Sequence, residues 1–346
     1  MRGLAALCVA IYHFAEGAVF GGYLAVDFFF VLSGFVLMNT YGDRLAAGMS
    51  GGHFIKLRIV RIMPVYWLGL ALCAMVYGVK LATHRPVDLD FSGYTVAAGL
   101  GAMMLPDPFA PRLFPLNPPA WSLFGEMVLN VAMAFWLARF SGRQMLAVLV
   151  VSGILLIGLA WHMQGLAGLP HTAGWVDAES ELNRGPHWQG WYIGLLRTCF
   201  SFSAGMMIAR LPQRAERPRS LAALVFWALL VALLCVQLPA MTRLYFDILV
   251  IFALSPLLVV LCSRIEPPAA IASIACFLGE ISFPLYALQW GLIGSVRSIT
   301  QKLHLAPAAS VFFYLFVTIF VAWVCTKWVD KPLRRIMAKI LLPYRP

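Results

Sequence analysis

The chain has 346 residues, of which 61% are hydrophobic and only 12% charged, with a mean hydropathy of +0.82 and a formal net charge of +11. A water-soluble domain carries about 25% charged residues, so an ordinary soluble globule is excluded. The apolar residues fall in runs such as LAVLVVSGILLIGLAW and YFDILVIFALSPLLVVLC, as a lipid-embedded chain requires. Lys and Arg cluster in short connectors between these runs rather than in a basic domain with interleaved aromatics, which points to membrane orientation and not to nucleic acid. The cysteines (Cys8, Cys73, Cys199, Cys235, Cys262, Cys276 and Cys325) lie in or beside apolar runs without a CxxC pair, so they read as small buried hydrophobes and not as a disulfide framework.

The N-terminal stretch RGLAALCVAIYH begins like a signal peptide, but His13 and Glu16 interrupt it and no small-residue cleavage site follows. A retained first helix is expected. In chain order the hydropathy predicts about ten crossings, near 3–20, 24–41, 61–80, 120–139, 144–162, 190–209, 220–238, 244–263, 276–296 and 309–328. This is an all-α polytopic bundle, one membrane-embedded domain over residues 1–346 with no separate soluble domain, and counting passes puts both termini in the cytoplasm. Of the 26 Lys and Arg residues, 18 then fall on the inner side, seven on the outer, and Arg197 within a span, the asymmetry expected of that orientation. Residues 92–105 are apolar but too short to cross and read as a re-entrant or interfacial segment. The outer loop 163–189 carries Asp177, Glu179, Glu181, Trp175 and Trp188; these suit a carbohydrate surface, although Trp at an interface is ordinary.

Several polar residues stand out against the apolar runs. Arg2 and His13 are eleven positions apart, just over three helical turns, so they share one face at an axial separation of about 16–17 Å. His13 then lies deep in the bilayer, where an ionisable group faces a cavity or a partner; a hydrogen-bonded packing role for His13 and a topology anchor for Arg2 are the plainer readings. GGYLAVDFFFVLSGFVL turns tightly at GGY and adds the intramembrane acid Asp27. Its Ser33-Gly34 pair offers a small surface for close helix packing. In HFIKLRIVRIMPVYW, Lys56, Arg58 and Arg61 crowd the inner face before Pro64 opens the third span. Positive-inside bias accounts for them, and so does a phosphate clamp, since Arg grips phosphate bidentately. NPPAWSLFGEMVLN places Trp121, Ser122 and Glu126 at the start of a span. Trp121 suits an interface anchor, and Glu126, about one turn further on, needs a partner. Glu16, Asp247 and Glu280 are the other acids near spans, and Glu16 is close enough to His13 to orient its ring.

RGLAALCVAIYHF, VDFFFVLSGFVL, RIVRIMPVYW and PPAWSLFGE, in this order, resemble the acyltransferase-3 family of membrane O-acyltransferases. LLRTCFSFSAGMMIARL, FLGEISFPLYALQWGLI and VDKPLRR extend the resemblance over nearly the whole chain. It implies a ten-helix bundle in a bacterial cytoplasmic membrane that takes an acyl group, by default acetyl from acetyl-CoA, and places it on a hydroxyl of an extracytoplasmic or membrane-linked carbohydrate or glycolipid. Arg2 and His13 fit the family's pattern of an Arg, ten residues and a His. His13 is then the catalytic base or an acyl relay, and Arg2 part of the donor side. Glu126 fills the acid of the Trp-Ser-Leu-x-x-Glu element and is expected to orient or charge-stabilise the His13 ring, with Asp27 joining the catalytic group. Lys56, Arg58 and Arg61 hold the donor's phosphates, while Ser33, Gly34, Trp121 and Ser122 support the site; no metal is expected. Three departures stand beside the match. Relatives have a short segment before the Arg, so a late recorded start or a trimmed chain is expected. Gln289 replaces the His of the closing Leu-Tyr-x-x-His-like element, and no fused esterase-like domain is in sight.

Two other classes fit parts of the sequence. A multi-pass transporter of an acylated or anionic substrate would use the intramembrane charges, but the two halves show no matching broken hydrophobic segments. A b-type haem protein needs several mid-span histidines, and of His13, His53, His84, His162, His171, His187 and His304 only His13 is expected at depth. A subunit without chemistry leaves the clustered buried charges unexplained.

Overall fold

The computed structural model describes residues 1–15, 18–110, 112–167, 191–212 and 217–342. The Trp and acidic residues proposed for the outer loop 163–189, together with Glu16, lie outside them. Among the described residues every regular element is a helix, and the one bridge, between Arg219 and Glu266, is isolated. In chain order the helices are α1 (Arg2–Phe14), α2 (Ala25–Ala46), α3 (Gly51–Ala82), α4 (Phe91–Ala102), α5 (Ala120–Phe135), α6 (Gly142–Ala167) and α7 (Trp191–Ala209). They continue as α8 (Ala222–Cys235), α9 (Ala240–Leu249), α10 (Ser255–Ser263), α11 (Ala269–Lys302), α12 (Pro307–Val324) and α13 (Lys331–Leu341). Short π-helical turns, Val250–Leu254 and Cys325–Asp330, join α9 to α10 and α12 to α13.

Seven of the resulting stretches are long and apolar enough to cross a bilayer, and three further apolar helices, Arg2–Phe14, Ala120–Phe135 and Ala222–Cys235, are shorter. Each of the ten predicted crossings overlaps one of these. The chain is a multi-pass membrane protein built from helices, because only internally hydrogen-bonded backbone is tolerated in hydrocarbon. Two boundaries differ from the sequence reading in ways that matter below. The first helix stops at Phe14 and not near residue 20: Ala15 leaves the helical region, and the Arg297 guanidinium donates to the carbonyls of His13 (3.3 Å) and Phe14 (2.7 Å), as a cation at a helix C-terminus should. His13 therefore stands in the last turn of a 13-residue helix and not midway along a full span. The third helix starts at Gly51, with Pro64 inside it rather than at its head. Arg58 and Arg61 thus share a helical face, at i and i+3, while Lys56, two positions before Arg58, projects to the other side.

α4 is the short apolar segment expected to be interfacial. Asp90 caps it by accepting from the Gly93 N–H at 2.7 Å; this bond and the Ser92 hydroxyl hold the Asp90 carboxyl below the usual carboxylate range. α4 leans on α3 through Tyr66, whose hydroxyl donates to the Gly101 carbonyl at 2.6 Å, and Trp67, whose indole donates to Ala102 at 2.8 Å.

The helices that position the site meet at small residues. α2 and α7 cross at Gly34 and Gly205: a Cβ on Gly34 would run into the Phe202 carbonyl oxygen, and one on Gly205 into that of Val31. Such crossings let backbones approach within dispersion and Cα–H···O range, the main attraction left between helices once both sides are apolar. α1 and α11 run side by side in the same direction, since Gly3 abuts Leu278 and the His13 ring meets Trp290. Replacing Gly34 by Val should abolish recovery of monodisperse protein, because the obstacle is backbone that cannot yield. Gly99→Ala in α4, where an added Cβ has open space, should leave yield and melting temperature unchanged or slightly higher; size-exclusion profiles and thermal melts in detergent compare the two.

Candidate active site

Five helices converge on a cavity of about 270 Å³. α1 contributes Arg2, α2 Phe29 and Ser33, α3 Arg58 and Arg61, α5 Ser122 and Glu126, and α11 Ser282 and Tyr286. The Glu126 carboxylate accepts from the Ser33 hydroxyl at 2.7 Å and from Arg58 Nη2 at 2.9 Å. Arg58 Nε is buried without a hydrogen-bond partner. Arg2 and Arg61 lie within electrostatic reach of Arg58, of each other and of Glu126. The cavity wall therefore holds three guanidinium groups against one carboxylate. Asp330 also acts on Arg61 from nearby, but it is ion-paired with Arg334 and does not line the cavity. Among low-dielectric walls such an excess of positive charge strongly favours an anionic occupant.

Away from the arginines the cavity is lined by hydroxyls and rings. Ser122 Oγ and the Tyr286 hydroxyl are 2.7 Å apart, and both donate towards the Pro119 carbonyl, at 2.9 and 3.3 Å. The Phe29 ring packs edge-on against Tyr286 at 6.0 Å.

His13 does not line this cavity. Its ring lies edge-to-face with Trp290 of α11 at 5.4 Å and with Tyr12 at 5.1 Å, and its carbonyl takes the bond from Arg297. Glu126, expected beside this ring, is instead engaged by Ser33 and Arg58. Trp290 is only four residues beyond Tyr286, so α11 connects the cavity wall to the histidine.

Asp27 belongs to a third group. It is fully buried and forms a two-point ion pair with Arg197 of α7, Nε to Oδ1 at 3.2 Å with a second, shorter bond between Nη2 and Oδ2. Trp121 covers that guanidinium at 5.8 Å and meets Phe30 edge-on at 6.1 Å. Gly34, as described, is occupied in the α2–α7 crossing. Lys56 is exposed, away from the cavity. Of the residues singled out from the sequence, Arg2, Ser33, Arg58, Arg61, Ser122 and Glu126 are brought together, while Asp27, Trp121, Gly34, Lys56 and His13 lie elsewhere.

Sequence reasoning missed Ser282 and Tyr286, although their i, i+4 spacing inside FLGEISFPLYALQW places two hydroxyls on one helical face. It also missed the buried cluster of Tyr23, Arg243 and Asp247. The Tyr23 hydroxyl donates to Asp247 at 2.6 Å and accepts from Arg243 Nε at 2.8 Å. Arg243 and Asp247 form an i, i+4 pair at 3.0 Å, a spacing legible in TRLYFD. Among the described residues no group of three His, Cys, Asp or Glu side chains could hold a metal ion.

Breaking the Asp27–Arg197 pair from one side should destabilise the protein by about 3–5 kcal/mol, since it strands a buried charge, whereas the apolar double replacement Asp27→Leu with Arg197→Met should restore most of the loss. Thermal melts of Asp27→Ala, Arg197→Ala and the double variant test this; a double variant as unstable as the singles would contradict a bracing role.

The sequence profile of the family described as Acyltransferase domain matches residues 1–327. "Protein 2 in picA locus" of Rhizobium radiobacter is 40% identical over 175 residues, covering 45% of this chain and 90% of that protein. No solved structure matches the chain. Nothing in these matches supports the transporter reading.

Proposed function

Since the chain belongs to the acyltransferase-3 family and is an acyltransferase by that membership, we propose that it moves an acetyl group from acetyl-CoA to a hydroxyl of an extracytoplasmic or membrane-linked carbohydrate, in the cytoplasmic membrane of a bacterium. The observation that carries this reading is the cavity with three guanidinium groups and one carboxylate. Acetyl-CoA is a thioester on a phosphate-rich handle, and Arg is the side chain best suited to grip phosphate oxygens. In this account Arg2, Arg58 and Arg61 hold the handle from the cytoplasmic side. Glu126, braced by Ser33, fixes the Arg58 guanidinium rather than the histidine.

Neutral His13 takes the proton from the acceptor hydroxyl as its oxygen attacks the thioester carbonyl. The carbon–sulfur bond breaks, the new ester remains on the carbohydrate, and the imidazolium returns its proton to the departing CoA thiolate. Tyr286 and Phe29 line the cavity and His13 does not, so in this account the thioester reaches the imidazole by passing Tyr286, whose hydroxyl then leaves Ser122. In the alternative route the imidazole nitrogen attacks the thioester carbonyl, the carbon–sulfur bond breaks and CoA leaves as the thiol, taking the imidazole N–H proton; the acceptor hydroxyl then attacks the acyl-imidazole, the carbon–nitrogen bond breaks and the hydroxyl proton returns to the ring.

Membranes supplied with radiolabelled acetyl-CoA test the reading. Wild type should transfer label to glycan, and His13→Ala should insert normally but transfer at least about 10²-fold more slowly. Equal label in both would remove His13 from the chemistry. Arg61→Ala should raise KM for acetyl-CoA roughly tenfold with a smaller effect on kcat, as loss of a charged phosphate contact predicts. An unchanged KM would take the phosphates away from this cavity.

A further inference from the structure

Gln289 has no exposed surface, and neither its side-chain nitrogen nor its side-chain oxygen has a hydrogen-bond partner. Only its backbone is engaged, with the carbonyl accepting from the Tyr314 hydroxyl at 3.2 Å. A buried amide left unpaired is unfavourable, and a side chain kept there for packing alone would be better replaced by Leu or Met. The placement suggests what the amide is kept for. Ser282, Tyr286 and Gln289 stand at i, i+4 and i+7, on one stripe of α11. The first two line the cavity, and the next residue, Trp290, packs on the His13 ring. Gln289 thus stands, in helix register, between the cavity-lining Tyr286 and the Trp290 that meets the histidine.

A carboxamide presents two donors and one acceptor, the complement of another amide. The arm of coenzyme A carries two secondary amides between its phosphates and its sulfur. The nearer is two methylene groups from the thioester, less than one helical turn of about 5.4 Å. A thioester presented at His13 therefore brings this amide into the neighbourhood of Gln289. We infer that Gln289 is a binding group for the amide-bearing arm of the acyl donor, satisfied only when that arm has passed Tyr286. The inference rests on the acyl-CoA reading above.

The test uses the full chain in nanodiscs and calorimetric titration with two ligands. One is coenzyme A; the other is adenosine 3′,5′-bisphosphate, which has the handle's phosphates but no arm. Gln289→Leu and Gln289→Met should each bind coenzyme A about tenfold more weakly and bind the bisphosphate like wild type. Both should melt no lower than wild type, because the substitution removes an unpaired buried amide. Unchanged affinity for coenzyme A, equal weakening for both ligands, or a lower melting temperature in both variants would overturn the assignment. If wild type binds neither ligand, the acyl-CoA reading itself fails, an outcome distinct from variants that match a coenzyme-binding wild type.

Discussion

Every ionisable group placed among these apolar helices must be compensated, because an uncompensated charge is far costlier there than in water. The structure meets this constraint by pairing charges, two of the pairs across helices remote in sequence and one within a helix but tied by Tyr23 to a distant segment. Asp27 on α2 meets Arg197 on α7, Arg243 and Asp247 on α9 share Tyr23, and Glu126 on α5 meets Arg58 on α3. Each pair supplies little net stability of its own, but each penalises any arrangement that separates its members. Around these pairs, the glycine crossing of α2 and α7 fixes how closely the backbones approach. The central cavity is where this compensation is incomplete, and its surplus is positive.

That imbalance organises the functional account. A compact, permanently paired cluster would need no ligand; Arg2 and Arg61 beside an already matched Arg58–Glu126 pair leave room for an anion. The histidine to which the family resemblance assigns the chemistry stands apart, in the last turn of a short helix held by Trp290 and Arg297. In the proposed function, donor recognition and proton transfer therefore fall in different places, one at the cavity lined by Phe29, Tyr286 and Ser122 and the other at His13 outside it. In this proposal a thioester reaches the histidine only by displacing Tyr286, which also limits contact between the reactive thioester and water.

Much of the fold was legible in the sequence, because apolar runs of bilayer length are a strong signal and each run became a helix. Helix ends were less legible. The end of α1 depends on Arg297, far away in sequence, and the start of α3 on tolerance of Pro64 within a helix. Part of the site was legible too: Arg2, Ser33, Arg58, Arg61, Ser122 and Glu126 stand in the blocks that carry the resemblance. Partner choice was not, since hydropathy ranks residues by depth but does not say which helices adjoin. Hence Glu126 was expected on His13 and lies on Arg58, Asp27 was grouped with the catalytic residues and lies on Arg197, and the hydroxyl of Tyr286 passed unnoticed inside an apolar block.

The central claim is that the arginine-lined cavity is the donor site and that the donor passes Tyr286 towards His13. A structure of the full chain determined with coenzyme A bound tests this most directly. The account predicts phosphate density against Arg2, Arg58 and Arg61, with the arm running past a displaced Tyr286 towards Gln289 and His13. Coenzyme A bound outside the cavity, or within it but directed away from α11, would contradict the account.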